Sequence, residues 1–399
     1  MPSRFGIRPS APVAISSRAR IAILLTGFAV LITGNGLLGT LVSLRLASPA
    51  FSATAVGVVQ SAYYLGFMLG AITAGKLIGR IGPQRAFSTF AAVVACASLG
   101  HAFFSGLLVW FFLRLVTGAC LAGIFSVVES QLNAAASNQV RGRVFALYMM
   151  TTYLGVSSGQ LLLNLASPTG NALFALIAVL FSASLLPILL RDFSGGPTLP
   201  GLLRPRFNLR AIVKTVSLAP LGMAGCVVAG LLNSTFYSLM PLFLKNISIS
   251  VGQISGIMFS ALLSALLFQW PMGMLSDRFN RRKVLFFVCF VIGLISLGVV
   301  CNQGALGITA LICLYAGMMF TVYALSVTLV NDGLASEHRI AASAAILLMF
   351  SLGGCVGPVV ASLALTWKGP YGIFWFSLGV AWSFNVLIVG VFRPRRPAS

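Results

Sequence analysis

The chain has 399 residues, of which 58% are apolar and 8% charged, with a mean hydropathy of +1.00 and a formal charge of +21 from 26 basic and 5 acidic side chains. Soluble globular domains carry about a quarter charged residues, so this balance excludes a soluble enzyme, a disordered chain and a secreted disulfide scaffold. There is also no charged, aromatic-interleaved domain on which a nucleic acid could lie, and the composition is that of an integral membrane protein.

A helix crosses about 30 Å of hydrocarbon with about 20 apolar residues. The sequence predicts twelve such spans: Ile21–Leu44, Ala53–Gly75, Phe87–Leu107, Val109–Ala135, Val144–Ala166, Ala172–Leu190, Val216–Leu244, Val251–Leu275, Val284–Val300, Leu306–Val330, Ala341–Leu365 and Tyr371–Phe392. They are too long, and too rich in Leu, Ala and Gly without strict alternation, to be barrel strands of about ten residues. Arg4, Arg8, Arg18 and Arg20 precede the first span as in a signal peptide. Its apolar run exceeds a signal core and no small-x-small cleavage site follows, so it is expected to stay uncleaved.

Basic residues fix the expected orientation, because positively charged loops stay in the cytoplasm. With the N-terminus inside, only Arg45, Lys245 and Lys368 fall outside and Arg114 lies within a span, while every other basic residue is cytoplasmic. Both termini are therefore expected inside, with the basic loops against anionic lipid. The seven cysteines lie in or at the edge of spans, without disulfide or metal spacing.

The chain divides at a linker containing Pro197, Pro200 and Pro205 and several basic residues, with six spans on each side. The expected organisation is a cytoplasmic tail 1–20, a six-helix half 21–190, a cytoplasmic linker 191–214, a second half 215–392 and a tail 393–399. At an offset of 198 residues, Gly75-Lys76-Leu77-Ile78-Gly79-Arg80 aligns with Gly273-Met274-Leu275-Ser276-Asp277-Arg278. The same offset pairs Asn35 with Asn233, Asn133 with Asn331, Arg141 with Arg339, and Gly155 and Gly159 with Gly353 and Gly357.

Two six-helix halves in parallel repeat resemble the major facilitator transporters. Their cytoplasmic loop motif, G-x-L-x-D-R-x-G-R-[RK], is matched by Gly273-Met274-Leu275-Ser276-Asp277-Arg278-Phe279-Asn280-Arg281-Arg282, with Asn280 in place of the later glycine. The first-half copy has Gly79 where the aspartate is expected. Arg114-x-x-x-Gly118, Val128-Glu129-Ser130-Gln131-Leu132-Asn133 and Arg141-Gly142-Arg143 resemble a bacterial YcaD-like subgroup of these transporters. The resemblance implies an all-α integral membrane fold of twelve transmembrane helices in two six-helix pseudo-repeats. It implies a monomer in a bacterial inner membrane that moves a small-molecule substrate by alternating access, without a cofactor.

Glu129 is the one acid well inside a span, about 9 Å from that helix's cytoplasmic end. An isolated carboxylate there must be protonated, paired or exposed to a water-filled cavity. It is expected either to latch onto Arg85 or Arg141 when the cytoplasmic side closes, or to carry a coupling proton. Arg114 lies about two turns inside the outer end of the same span, where it snorkels, binds carbonyls or attracts an anionic group in the cavity. Asn35 and Asn233 are either interhelical hydrogen-bond partners or symmetric substrate contacts, and Tyr237, one turn after Asn233, shares its face. Asp277 with Arg278 is expected at a gate, the aspartate partnering a helix terminus or an arginine across the interface between halves, with Arg339 and Glu337 flanking the matching loop. The GxxxG pairs Gly66/Gly70, Gly155/Gly159 and Gly353/Gly357 are expected where the halves meet.

Only two histidines and scattered acids leave no catalytic set, phosphate loop or metal cluster. The expected function is secondary active transport of a neutral or anionic solute, with protons as the coupling ion. The alternatives are a drug or metabolite efflux antiporter, a facilitated-diffusion carrier and a non-transporting receptor on the same fold.

Overall fold

The computed structural model of the chain describes residues 17–48, 50–137, 139–189, 209–302, 305–332, 334 and 339–392. These form α1 (Ser17–Leu46), α2 (Ala53–Ile81), α3 (Pro83–Phe103), α4 (Leu107–Ala135), α5 (Arg141–Leu161), α6 (Ala172–Ala183) and α7 (Leu185–Leu189). They continue as α8 (Leu209–Leu218), α9 (Pro220–Asn246), α10 (Val251–Arg278), α11 (Arg281–Cys301), α12 (Ala305–Asp332), α13 (Arg339–Lys368) and α14 (Gly372–Phe392). Among the described residues, 11 helical segments are long and apolar enough to cross a membrane. The predicted fifth span is α5 with a 3-10 turn, Leu162–Leu165; Arg141, Arg143 and a run of Thr, Ser and Gln lower its apolarity, yet it lies in the bundle between α1 and α10.

Local chemistry sets the ends. Ser52 caps α2 by accepting from the Ala55 amide at 3.2 Å, Ser250 and Gln253 form a capping box on α10, and Asn280 caps the Arg282 amide at 3.0 Å. Gly82 turns α2 into α3 as a single residue at φ 83, which glycine adopts without a Cβ penalty, and Pro83 follows at a position that needs no amide hydrogen.

Three features depart from the sequence reading. The sixth span breaks at Ser184 because Pro187 has no amide hydrogen and its ring opposes the carbonyl of Ala183. The end of the linker is helical: α8 buries Ile212 against Met223, Cys226, Val330, Ala342 and Ile346 while Val213 and Lys214 stay exposed. Pro220 then starts α9. The predicted tail and linker residues 1–16, 190–208 and 393–399, Glu337 and the Arg339 side chain lie outside the described residues.

The GxxxG pairs also sit elsewhere than expected. A Cβ at Gly66 or Gly70 would strike the Leu115 or Ala119 backbone of α4, and one at Gly155 or Gly159 would strike α1. At Gly353 and Gly357 it would strike α9. Each pair thus joins neighbours among the first six spans or among the last six. Moreover, α13 meets α9 through the two glycines that align, at the same offset, with those by which α5 meets α1. The close approaches across the two sets are at Gly57, facing Pro358 and Ser362, and at Gly354, facing the Tyr64 ring.

Candidate functional site: a central cavity

At the centre, α1, α2, α4, α5, α9 and α13 enclose a cavity of roughly 220 Å³. Asn35, Arg114, Asn233 and Tyr237, picked out from the sequence as polar or amphipathic groups within spans, all line it. Tyr63, Tyr64, Phe67, Phe125 and Phe350 supply an aromatic wall that the sequence reading missed. The signal was present in the i, i+4 spacing of Tyr63 and Phe67, which places both rings on one face of α2.

Arg114 is 5% exposed, and its guanidinium carbon lies 4.8 Å from the centroid of the Tyr63 ring. Among the described residues it has no carboxylate partner, and its Nε has no hydrogen-bond partner. The Tyr63 hydroxyl faces Asn35. Asn233 is 7% exposed and its Oδ1 is likewise without a partner. Thr40 Oγ1 donates to Gln160 Oε1 at 2.6 Å and Gln160 Nε2 donates to the Gly36 carbonyl at 3.0 Å, locking α5 to α1 beside the cavity.

The cavity is sealed at the end of the bundle where α1 finishes. There, Ser43 Oγ donates to the Ser238 carbonyl at 2.7 Å, and Lys245 Nζ donates to the carbonyls of Leu44 at 3.2 Å and Ala47 at 2.6 Å. Ser255 Oγ donates to the Gln160 carbonyl at 2.8 Å and accepts from Asn164 Nδ2 at 2.9 Å. Every one of these bonds joins the first six spans to the last six. At the opposite end, where α1 begins, Glu129, Arg85, Arg141, Asp277 and Arg278 are all exposed.

Glu129 accepts a hydrogen bond from the Tyr148 hydroxyl of α5 at 2.9 Å and forms an ion pair with neither Arg85 nor Arg141 in this open arrangement. In the same open arrangement Asp277 meets Arg281, one turn away at 3.7 Å, because α11 starts immediately after α10 and brings Arg281 back over it. Arg281 also meets Asp332 at the end of α12 at 2.9 Å, a partner the motif reading did not include.

The family model for the Major Facilitator Superfamily matches residues 24–247 and 222–399. The chain belongs to that superfamily. An uncharacterized transporter of this type from Yersinia pestis (strain Pestoides F) is 29% identical over 369 residues, covering 92% of this chain and 95% of the relative. The YcaD transporter of Shigella flexneri, also uncharacterized, is 33% identical over 348 residues, covering 86% and 88%. The crystal structure of the nucleoside transporter NupG has the same fold, with a TM-score of 0.78 at 14% identity over 94% of this chain and 100% of its own. The superfamily member described above is thus a multi-pass membrane transport protein, not an enzyme.

Proposed function

We propose that this protein carries a small neutral or anionic solute across a bacterial inner membrane by alternating access, that its two six-span halves rock about the central cavity, and that protons drive it. The carrying observation is the cavity itself. It lies midway through the bundle, is lined from both halves, and is closed at one end by hydrogen bonds between them. The positive-inside rule assigns the open end to the cytoplasm, which supports reading this arrangement as a cytoplasm-facing state.

Glu129 is suited to proton coupling because it is exposed in the open arrangement and, among the described residues, is held by the Tyr148 hydroxyl rather than by a cation. Closure at that end would bury it and force either protonation or pairing with Arg85 or Arg141. Flux in proteoliposomes tests this reading. Accumulation driven by a proton gradient should be abolished by a protonophore and by Glu129→Gln, with solute exchange retained in the variant. Undiminished gradient-driven accumulation in Glu129→Gln would remove Glu129 from coupling.

A further inference from the structure

Arg114 poses an energetic problem that the fold does not solve. A guanidinium taken out of water costs several kcal/mol unless it is paired. Here burial leaves it with one aromatic face and no carboxylate. No Asp or Glu lines the cavity, so the local field is that of a single positive charge. A cation would be repelled and a neutral solute would leave the charge uncompensated, whereas a monoanion would neutralise it through the bidentate geometry that arginine offers to carboxylates.

The remaining walls describe the rest of the solute. Tyr63, Tyr64, Phe67 and Phe125 line the cavity with aromatic rings, against which a flat ring packs well. The Oδ1 of Asn233, buried without a donor, requires a hydroxyl or N–H from whatever fills the space. An engineered cavity of about 150 Å³ accommodates benzene, so roughly 220 Å³ corresponds to about nine or ten non-hydrogen atoms, one ring with two small substituents.

We infer that the cavity binds a small aromatic carboxylate bearing a hydrogen-bond donor, with Arg114 holding the carboxylate and Asn233 accepting from the donor. This rests on the cavity being the transport site, and it specifies the class of solute moved.

The test is binding to the full-length protein in lipid nanodiscs, using 4-hydroxybenzoate, its neutral amide and its cationic amidine as probes. The carboxylate should bind at least about tenfold more tightly than the amide, and the amidine should bind more weakly still. Arg114→Gln should lose that preference and Arg114→Lys should retain part of it, with unliganded melting and elution profiles reporting the fold. If Arg114→Gln does not fold, the wild-type ratio of carboxylate to amide decides. Asn233→Leu should erase the advantage of 4-hydroxybenzoate over benzoate. Equal binding of the three probes, no carboxylate binding at millimolar concentration, or a preference that survives Arg114→Gln would overturn the inference. Carboxylate binding without flux in proteoliposomes would count against the transport reading alone. Flux of another solute without any carboxylate preference would overturn the inference and leave transport standing.

Discussion

Ser255→Ala is the sharpest perturbation of the seal. Ser255 is fully buried in α10 and joins the halves twice, donating to the Gln160 carbonyl at 2.8 Å and accepting from Asn164 at 2.9 Å. Each neutral hydrogen bond contributes about 0.5–1.5 kcal/mol net, so the pair is worth about 2 kcal/mol. When that end opens, water replaces both partners, and the loss therefore falls on the sealed state alone. A difference of about 2 kcal/mol corresponds to about a thirtyfold fall in the ratio of sealed to open molecules. Spin labels at Leu165 and Asn246, both exposed and on opposite sides of the seal, would report it as a distance population growing at longer separation in Ser255→Ala. An unchanged distance distribution, in a variant that melts like the wild type, would refute the assignment of this contact to a state-dependent seal.

Other substitutions test separate parts of the structure. Gly118→Ala would place a Cβ against the Tyr63 carbonyl and 2.9 Å from the Phe67 amide nitrogen, forcing α4 off α2 at a cost of about 1–3 kcal/mol. It should lower the melting temperature, while Gly79→Ala, with nothing within 4 Å of its Cβ, should not. Arg281→Ala removes the contacts to Asp277 and Asp332, but all three side chains are at least 28% exposed, so stability should fall by no more than about 1 kcal/mol. A larger loss on thermal denaturation would mean that the network carries more than surface ion pairing.

The twelve-span pattern was legible because hydrocarbon imposes a length and polarity rule on every crossing. The cavity's polar residues were legible for the same reason. Arg114, Asn35 and Asn233 interrupt apolar runs, and such interruptions in a membrane require a partner or a cavity. The aromatic wall was not, since Tyr63 and Phe67 look like ordinary span residues until α4 approaches α2 closely enough to bring Arg114 over Tyr63. The GxxxG pairs announced close helix contact without naming the partner helix. All three selected neighbours in the same half, while single glycines, Gly57 and Gly354, serve the interface between halves. A loop motif likewise does not reveal that, in this arrangement, the next helix folds its own Arg281 back onto Asp277.

Alternating access is tested most directly by asking whether one cavity position can be reached from both faces of the membrane. Asn35 lines the cavity, so a cysteine in its place, in a background freed of the seven native cysteines, can be challenged with a membrane-impermeant maleimide in oriented vesicles. Labelling from each face in turn, with Ser255→Ala accelerating the reaction from the outer face, is the predicted result. Labelling from the cytoplasmic face alone, unaffected by Ser255→Ala, would contradict it and describe a receptor closed on its outer side.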